Sequence, residues 1–110
     1  MYTFIMVAPA STKTEIVARL ASQSQMLRAL GVQRLGIFGS FLSDHPRSDS
    51  DVDLLVEFDP ERKSFDNFWQ LSEMLEETLQ RPVDLVTRES LSPHFGPRIL
   101  TQVEYVPLAE

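Results

Sequence analysis

Asp51 and Asp53, one residue apart at the entrance of the apolar run Leu54-Leu55-Val56, restrict this chain more than any other feature. Val52 to Phe58 has the composition of a strand, and residues i and i+2 of a strand project from the same face, so both carboxylates point the same way. Like charges held that close beside apolar residues raise each other's pKa and cost stability unless something positive lies between them. The pair therefore predicts a sheet end that shares a cation. Hard oxygen donors of this kind favour Mg²⁺ or Mn²⁺, with water and phosphate oxygens filling the remaining positions. By itself the pair fits equally well a solvated strand entrance, where the aspartates only mark the edge of a loop.

Upstream, the apolar run Leu35 to Phe38 reads as a buried strand and ends in Gly39-Ser40. A turn or short helix opening there exposes backbone N–H groups and a hydroxyl to phosphate oxygens, and glycine lets a phosphate approach the backbone. A Gly-Ser after a strand is also an ordinary turn. Residues 42 to 50, rich in Ser, Asp and Pro, predict a loop between the two strands. A third acid, Asp84, sits near the start of the run Val83 to Thr87, a third strand. It lies beside the first two acids if that strand is their neighbour, and is an exposed edge residue if it is not.

Around these strands the pattern is helical. Thr12 followed by Glu15 reads as a capping box, and Ile16, Leu20, Leu27 and Leu30 form an apolar stripe up to Gly31. The polar stretch Ser22 to Gln25 leaves open whether this is one broken helix or two short ones. A second helix starts at Ser64, with Phe65, Phe68, Leu71, Leu75 and Leu79 at helical spacing, and Arg81-Pro82 ends it. A last helix runs from after Pro93 to about Val103. The order helix, strand, strand, helix, strand, helix predicts an α/β (α+β) domain, a small mixed sheet covered by helices on one side.

With 110 residues, the chain has the length of one domain and not of a catalytic domain plus a separate substrate domain. Residues 1–11 are read as a flexible leader and 12–110 as the domain; the apolar start lacks a basic region and is too short to span a membrane. Without cysteine there are no disulfides or thiolate sites, which fits a cytoplasmic location. A net charge of -6, with no cluster of Lys or Arg, argues against direct nucleic-acid binding. His45 and His94 lie in Pro-flanked loops without a second imidazole at ligand spacing, which argues against zinc. Trp69 reads as core or partner contact. Phe41, next to the Gly-Ser turn, reads as packing beneath it before it reads as a platform for adenine.

Together, Gly39-Ser40, ten intervening residues, Asp51-Val52-Asp53 and a later acid on another strand resemble the G-S, spacer, D-x-D signature of the nucleotidyltransferase superfamily. The small size, LLVEF and VDLVT are similar to the minimal nucleotidyltransferase proteins of bacteria and archaea, over about residues 30 to 106. The resemblance implies a polymerase-beta-like palm, with Asp51, Asp53 and Asp84 as catalytic acids and ligands of Mg²⁺ or Mn²⁺, and Gly39 and Ser40 holding the β and γ phosphates of ATP. Asp84 would also draw the proton from the attacking hydroxyl. One departure stands out. Relatives often carry Ala-Arg-Gly where this chain has Leu42, Ser43 and Asp44, so a cation is replaced by a hydroxyl next to an acid, with Arg47 the nearest cation in sequence.

Family members of this size pair with a HEPN protein in toxin–antitoxin modules. The resemblance therefore implies an antitoxin that silences a HEPN ribonuclease toxin by transferring AMP from ATP to a tyrosine hydroxyl. The competing reading is a binding module of the same fold that covers the toxin without catalysis. Transfer to a small molecule is a third reading, for which dimerisation would have to supply the missing substrate domain.

Overall fold

The computed structural model describes residues 8–41, 51–94 and 96–109. In chain order the elements are α1 (Lys13–Ala21), α2 (Ser24–Ala29), β1 (Val32–Phe38), β2 (Val52–Phe58), α3 (Phe65–Leu79), β3 (Val83–Thr87), α4 (Gly96–Gln102) and β4 (Glu104–Tyr105). They form one four-stranded mixed sheet of order β3-β2-β1-β4. β1 pairs antiparallel with both β2 and β4, and β2 pairs parallel with β3. The parallel pair needs a long crossover, which α3 supplies.

Local chemistry explains most boundaries. The Thr12 hydroxyl accepts from the Glu15 amide at 3.1 Å, while the Glu15 side chain takes the Ser11 hydroxyl at 3.0 Å, so the expected capping box forms only on the Thr12 side. The helix breaks at Ser22-Gln23 into two. The Ser64 hydroxyl accepts from the Asn67 amide at 3.1 Å and starts α3. In β1 the register shifts between Val32 and Arg34, a bulge that exposes Gln33 and Arg34 and lets both Val32 and Leu35 face the core. β4 was not anticipated. Its two residues are too few to show alternation, and the last helix stops at Gln102 to make room for it.

The core lies on one face of the sheet. Ile16 and Leu20 of α1, Leu27 of α2 and Leu71, Leu75 and Leu79 of α3 pack with Leu35, Ile37, Val52, Leu54 and Val56. Ala10 belongs to the same cluster and its amide donates to the Leu79 carbonyl at 3.0 Å, so the end of the expected leader is fastened to α3. On the opposite face, Gly36 is where Val103 and Tyr105 lie against the sheet: a Cβ built there would come within 2.4 Å of Val103 Cγ2. Phe65 departs from the expected stripe at 78% exposed, and Trp69, read as core or partner contact, is 56% exposed. No helix among the described residues is long and apolar enough to cross a membrane.

The end of α3 carries a small local strain. Gln80, its C-cap, takes the left-handed conformation (φ 54, ψ 39), which costs an L-residue roughly 1–2 kcal/mol. Gln80→Gly should therefore stabilise the fold. The gain should stay within about 1 kcal/mol, because glycine also enlarges the entropy of the unfolded chain and the bond from Gln80 Nε2 to the Glu77 carbonyl at 2.6 Å is lost. Urea denaturation should show a higher midpoint with an unchanged slope; a lower midpoint would contradict this reading of the cap.

Candidate active site

Topology brings the carboxy end of β1 and the amino ends of β2 and β3 to the same end of the sheet. In the register Phe38 faces Asp53, and Asp53 faces Asp84 across the parallel pair. A backbone bond from the Val52 amide to the Pro82 carbonyl, 2.9 Å, extends that pairing to the residues just before β3. Val52, Leu54 and Val56 point into the core, so Asp51 and Asp53 share the other face, as their spacing predicts.

Gly39 closes β1 at φ +78, a conformation that side chains rarely adopt, and it touches Asp53 directly. A Cβ built on Gly39 would stand 2.1 Å from Asp53 Oδ2. The glycine is therefore required twice, by its dihedral and by the carboxylate lying against its backbone. Gly39, Ser40 and Phe41 form a short helical turn. Phe41, 1% exposed, packs beneath the turn as expected, and the Arg81 guanidinium lies 5.1 Å from its ring centroid. Sequence reasoning had given Arg81 only a role in ending α3. No spacing in the sequence marks it as a neighbour of the turn, to which it brings positive charge.

Burial, followed by the carboxylates of Asp84 and then Asp51, pushes the Asp53 pKa up from 3.8 to about 6. Asp53 is half-buried, and the other two acids are exposed. The three are thus electrostatic neighbours. They are not a closed coordination sphere: among the described residues no three His, Cys, Asp or Glu side chains already converge around a point where a metal ion would sit. The donor set still suits a divalent cation, since its oxygens are hard and its central member is short of positive charge. Leu42, Ser43, Asp44, His45 and Arg47 lie outside the described residues; His94 is exposed.

Further along the same face Glu57 gathers a second polar group. It accepts from Arg34 at 2.9 Å and from the Tyr105 hydroxyl at 2.8 Å, while Arg34 stacks 4.4 Å from the Tyr105 ring centroid. Burial, then the bond to Glu57, pushes the Tyr105 pKa up. Sequence reading passed over these residues, and their contacts tie β4 to β2 across β1. They are a fastening for the sheet rather than part of the acid site.

Comparison with known proteins agrees with this geometry. Residues 17–105 match a family model described as a nucleotidyltransferase domain. The protein adenylyltransferase MntA of Thermococcus cleftensis is 40% identical over 96 residues, which cover 86% of this chain and 96% of the relative. A solved structure of a minimal nucleotidyltransferase superposes with a TM-score of 0.66 at 30% identity, covering 84% of this chain and 95% of that one. A chain in the structure of the tri-AMPylated HEPN toxin of Shewanella oneidensis in complex with MNT antitoxin shares the fold, with a TM-score of 0.59 at 22% identity, covering 86% of this chain and 73% of that one.

Proposed function

Since the chain belongs to the nucleotidyltransferase domain family, we propose that it is a protein adenylyltransferase and antitoxin, which transfers AMP from ATP to a tyrosine of a partner HEPN ribonuclease. The observation that carries the site assignment is the adjacency of Gly39, just past the end of β1, Asp53 on β2 and Asp84 on β3, with Asp53 against the Gly39 backbone and raised in pKa first by burial and then by Asp84 and Asp51. The naming of the Thermococcus relative as a protein adenylyltransferase supports the reaction class. Toxin–antitoxin complexes among chains of the same fold are in keeping with a HEPN partner.

In this reading Gly39 and Ser40 receive the β and γ phosphates at the turn. Asp51, Asp53 and Asp84 would hold Mg²⁺ or Mn²⁺, which when bound supplies Lewis-acid stabilisation of charge on the phosphate oxygens. The tyrosine oxygen forms a bond to the α-phosphorus, the bond from that phosphorus to the bridging oxygen breaks, and pyrophosphate leaves with the electron pair. The phenolic proton passes to the Asp84 carboxylate, whose exposed position lets it meet an acceptor arriving from solvent.

A second reading, a binding module that covers the toxin without catalysis, is favoured by the sequence: Leu42, Ser43 and Asp44 stand where the family resemblance implies Ala-Arg-Gly, so that segment carries no cation. Labelled ATP tests the reaction. Incubated with the HEPN partner, this chain and Mg²⁺, ATP labelled at the α-phosphate should leave its label on the partner, and ATP labelled at the γ-phosphate should leave none. Label retained from the γ-phosphate would mean phosphoryl transfer, and no label from either would remove the enzymatic reading.

A further inference from the structure

The outer face of α3 has a composition that the fold does not use. Phe65, Trp69, Glu73 and Glu77 follow one another at i, i+4 spacing and all four are exposed, so they form a single stripe running from aromatic to acidic. Phe65 is 78% and Trp69 56% exposed, although the same helix buries Leu71, Leu75 and Leu79 completely. α3 contains no Lys or Arg, and among the described residues neither Glu73 nor Glu77 has an ion-pair partner.

At the aromatic end of the stripe a cavity of about 390 Å³ opens between Phe58, Phe65 and Phe68, with Lys63 and Thr87 at its walls. It is separate from the acid site. Phe58 lies at the far end of β2 from Asp53, five residues or about 17 Å along the strand, and on the opposite face of the sheet.

We propose that the outer face of α3 and this cavity form the docking surface for the acceptor protein, which presents a helix carrying one aliphatic or aromatic anchor and a row of Lys or Arg. The cavity receives the anchor between aromatic walls, the arrangement in which a few residues carry most of an interface's affinity. Glu73 and Glu77 meet the basic row. From Phe65 to Glu77 the stripe is about 18 Å long, which suits a helix laid along it. Charge selects the occupant. A second copy of this chain would set acid against acid, and nucleic acid would be repelled by a chain of net charge -6. Because the docking face is away from the acids, the acceptor is held by one part of its surface while its tyrosine reaches Asp53 past β3, the outer strand of the sheet among the described residues.

This inference rests on the reading of the chain as an enzyme acting on a protein, and the experiment separates the two. Phe65→Ser with Trp69→Ser, and separately Glu73→Lys with Glu77→Lys, are compared with the wild-type chain. Affinity for the purified HEPN partner is measured without ATP. AMP transfer is then measured to that partner and to a short peptide carrying its acceptor tyrosine. Both variants should keep the wild-type melting temperature, lose about tenfold or more in affinity and raise KM for the whole partner by a similar factor, with kcat and peptide transfer unchanged.

Wild-type affinity and KM in both variants would overturn the docking assignment and leave the proposed activity standing. Tenfold weaker binding in the variants, with no AMP transferred by any form, would support the docking surface while removing the enzymatic reading. A wild-type dimer that the aromatic variant dissociates, seen by light scattering, would show that a second copy covers the face and would also overturn the proposal.

Discussion

Replacing Asp53 by asparagine is expected to abolish AMP transfer and, at neutral pH, to make the protein more stable. Asparagine keeps the shape of the side chain against Gly39 and removes the charge that a divalent cation needs. If metal-assisted stabilisation contributes several kcal/mol to the reaction, transfer should fall by roughly 10³-fold or more. The stability change follows from the raised pKa. Asp53 ionises near 3.8 in the unfolded chain and near 6 in the folded one, so between these values the folded state binds more protons. Stability of the metal-free wild type therefore falls as pH rises through this window, and the cost stays in full above about pH 6.

Asparagine carries no such cost. Allowing for solvent screening of a half-exposed group, the gain at pH 7 is on the order of 1 kcal/mol, or several degrees in Tm, and it should vanish below about pH 4. Thermal scans of both forms in chelator from pH 4 to 8 measure it. A wild type whose stability rises across that window relative to Asp53→Asn would contradict the electrostatic account of the site. Undiminished transfer by the variant would remove Asp53 from the reaction.

Gly39→Ala should be almost as damaging, by a steric route. The left-handed backbone at φ +78 costs an alanine about 1–3 kcal/mol, and its Cβ would meet Asp53 Oδ2 at 2.1 Å. The carboxylate has to swing away or the turn has to open. Either movement displaces a reacting group by about 1 Å, enough to cost on the order of 10²-fold in rate. The diagnostic result is a loss of both Tm and transfer, with part of the lost stability recovered in the double variant Gly39→Ala, Asp53→Gly, where the clash is gone. Full activity in Gly39→Ala would show that the contact between turn and acid has no part in catalysis.

Much of this architecture can be read from local chemistry. β2 and β3 match their apolar runs because Pro and charged residues bound them on both sides. β1 is longer than its apolar run, since Gln33 and Arg34 sit on a bulge and break the alternation. β4 escapes detection because its pairing with Gly36 and Ile37 depends on where the chain returns after α4, which two residues cannot encode. Phe65 misleads for another reason. Its spacing is helical, yet the core is defined by Leu71, Leu75 and Leu79, and hydrophobic spacing alone does not say which apolar stripe turns inward.

At the site, the shared face of Asp51 and Asp53 follows from spacing alone. That Asp84 stands beside Asp53 follows only from the parallel register set by the α3 crossover. The carboxylate resting on Gly39 is a tertiary contact with no signature beyond the glycine itself.

Intact-mass analysis of the HEPN partner, after incubation with a tenth of its molar amount of this chain, ATP and Mg²⁺, tests the central claim most directly. Turnover predicts that nearly all of the partner gains the mass of AMP on tyrosine and loses its ribonuclease activity. A partner of unchanged mass that is inhibited only at stoichiometric amounts of this chain, with or without ATP, would contradict the enzymatic account and leave a binding module in its place.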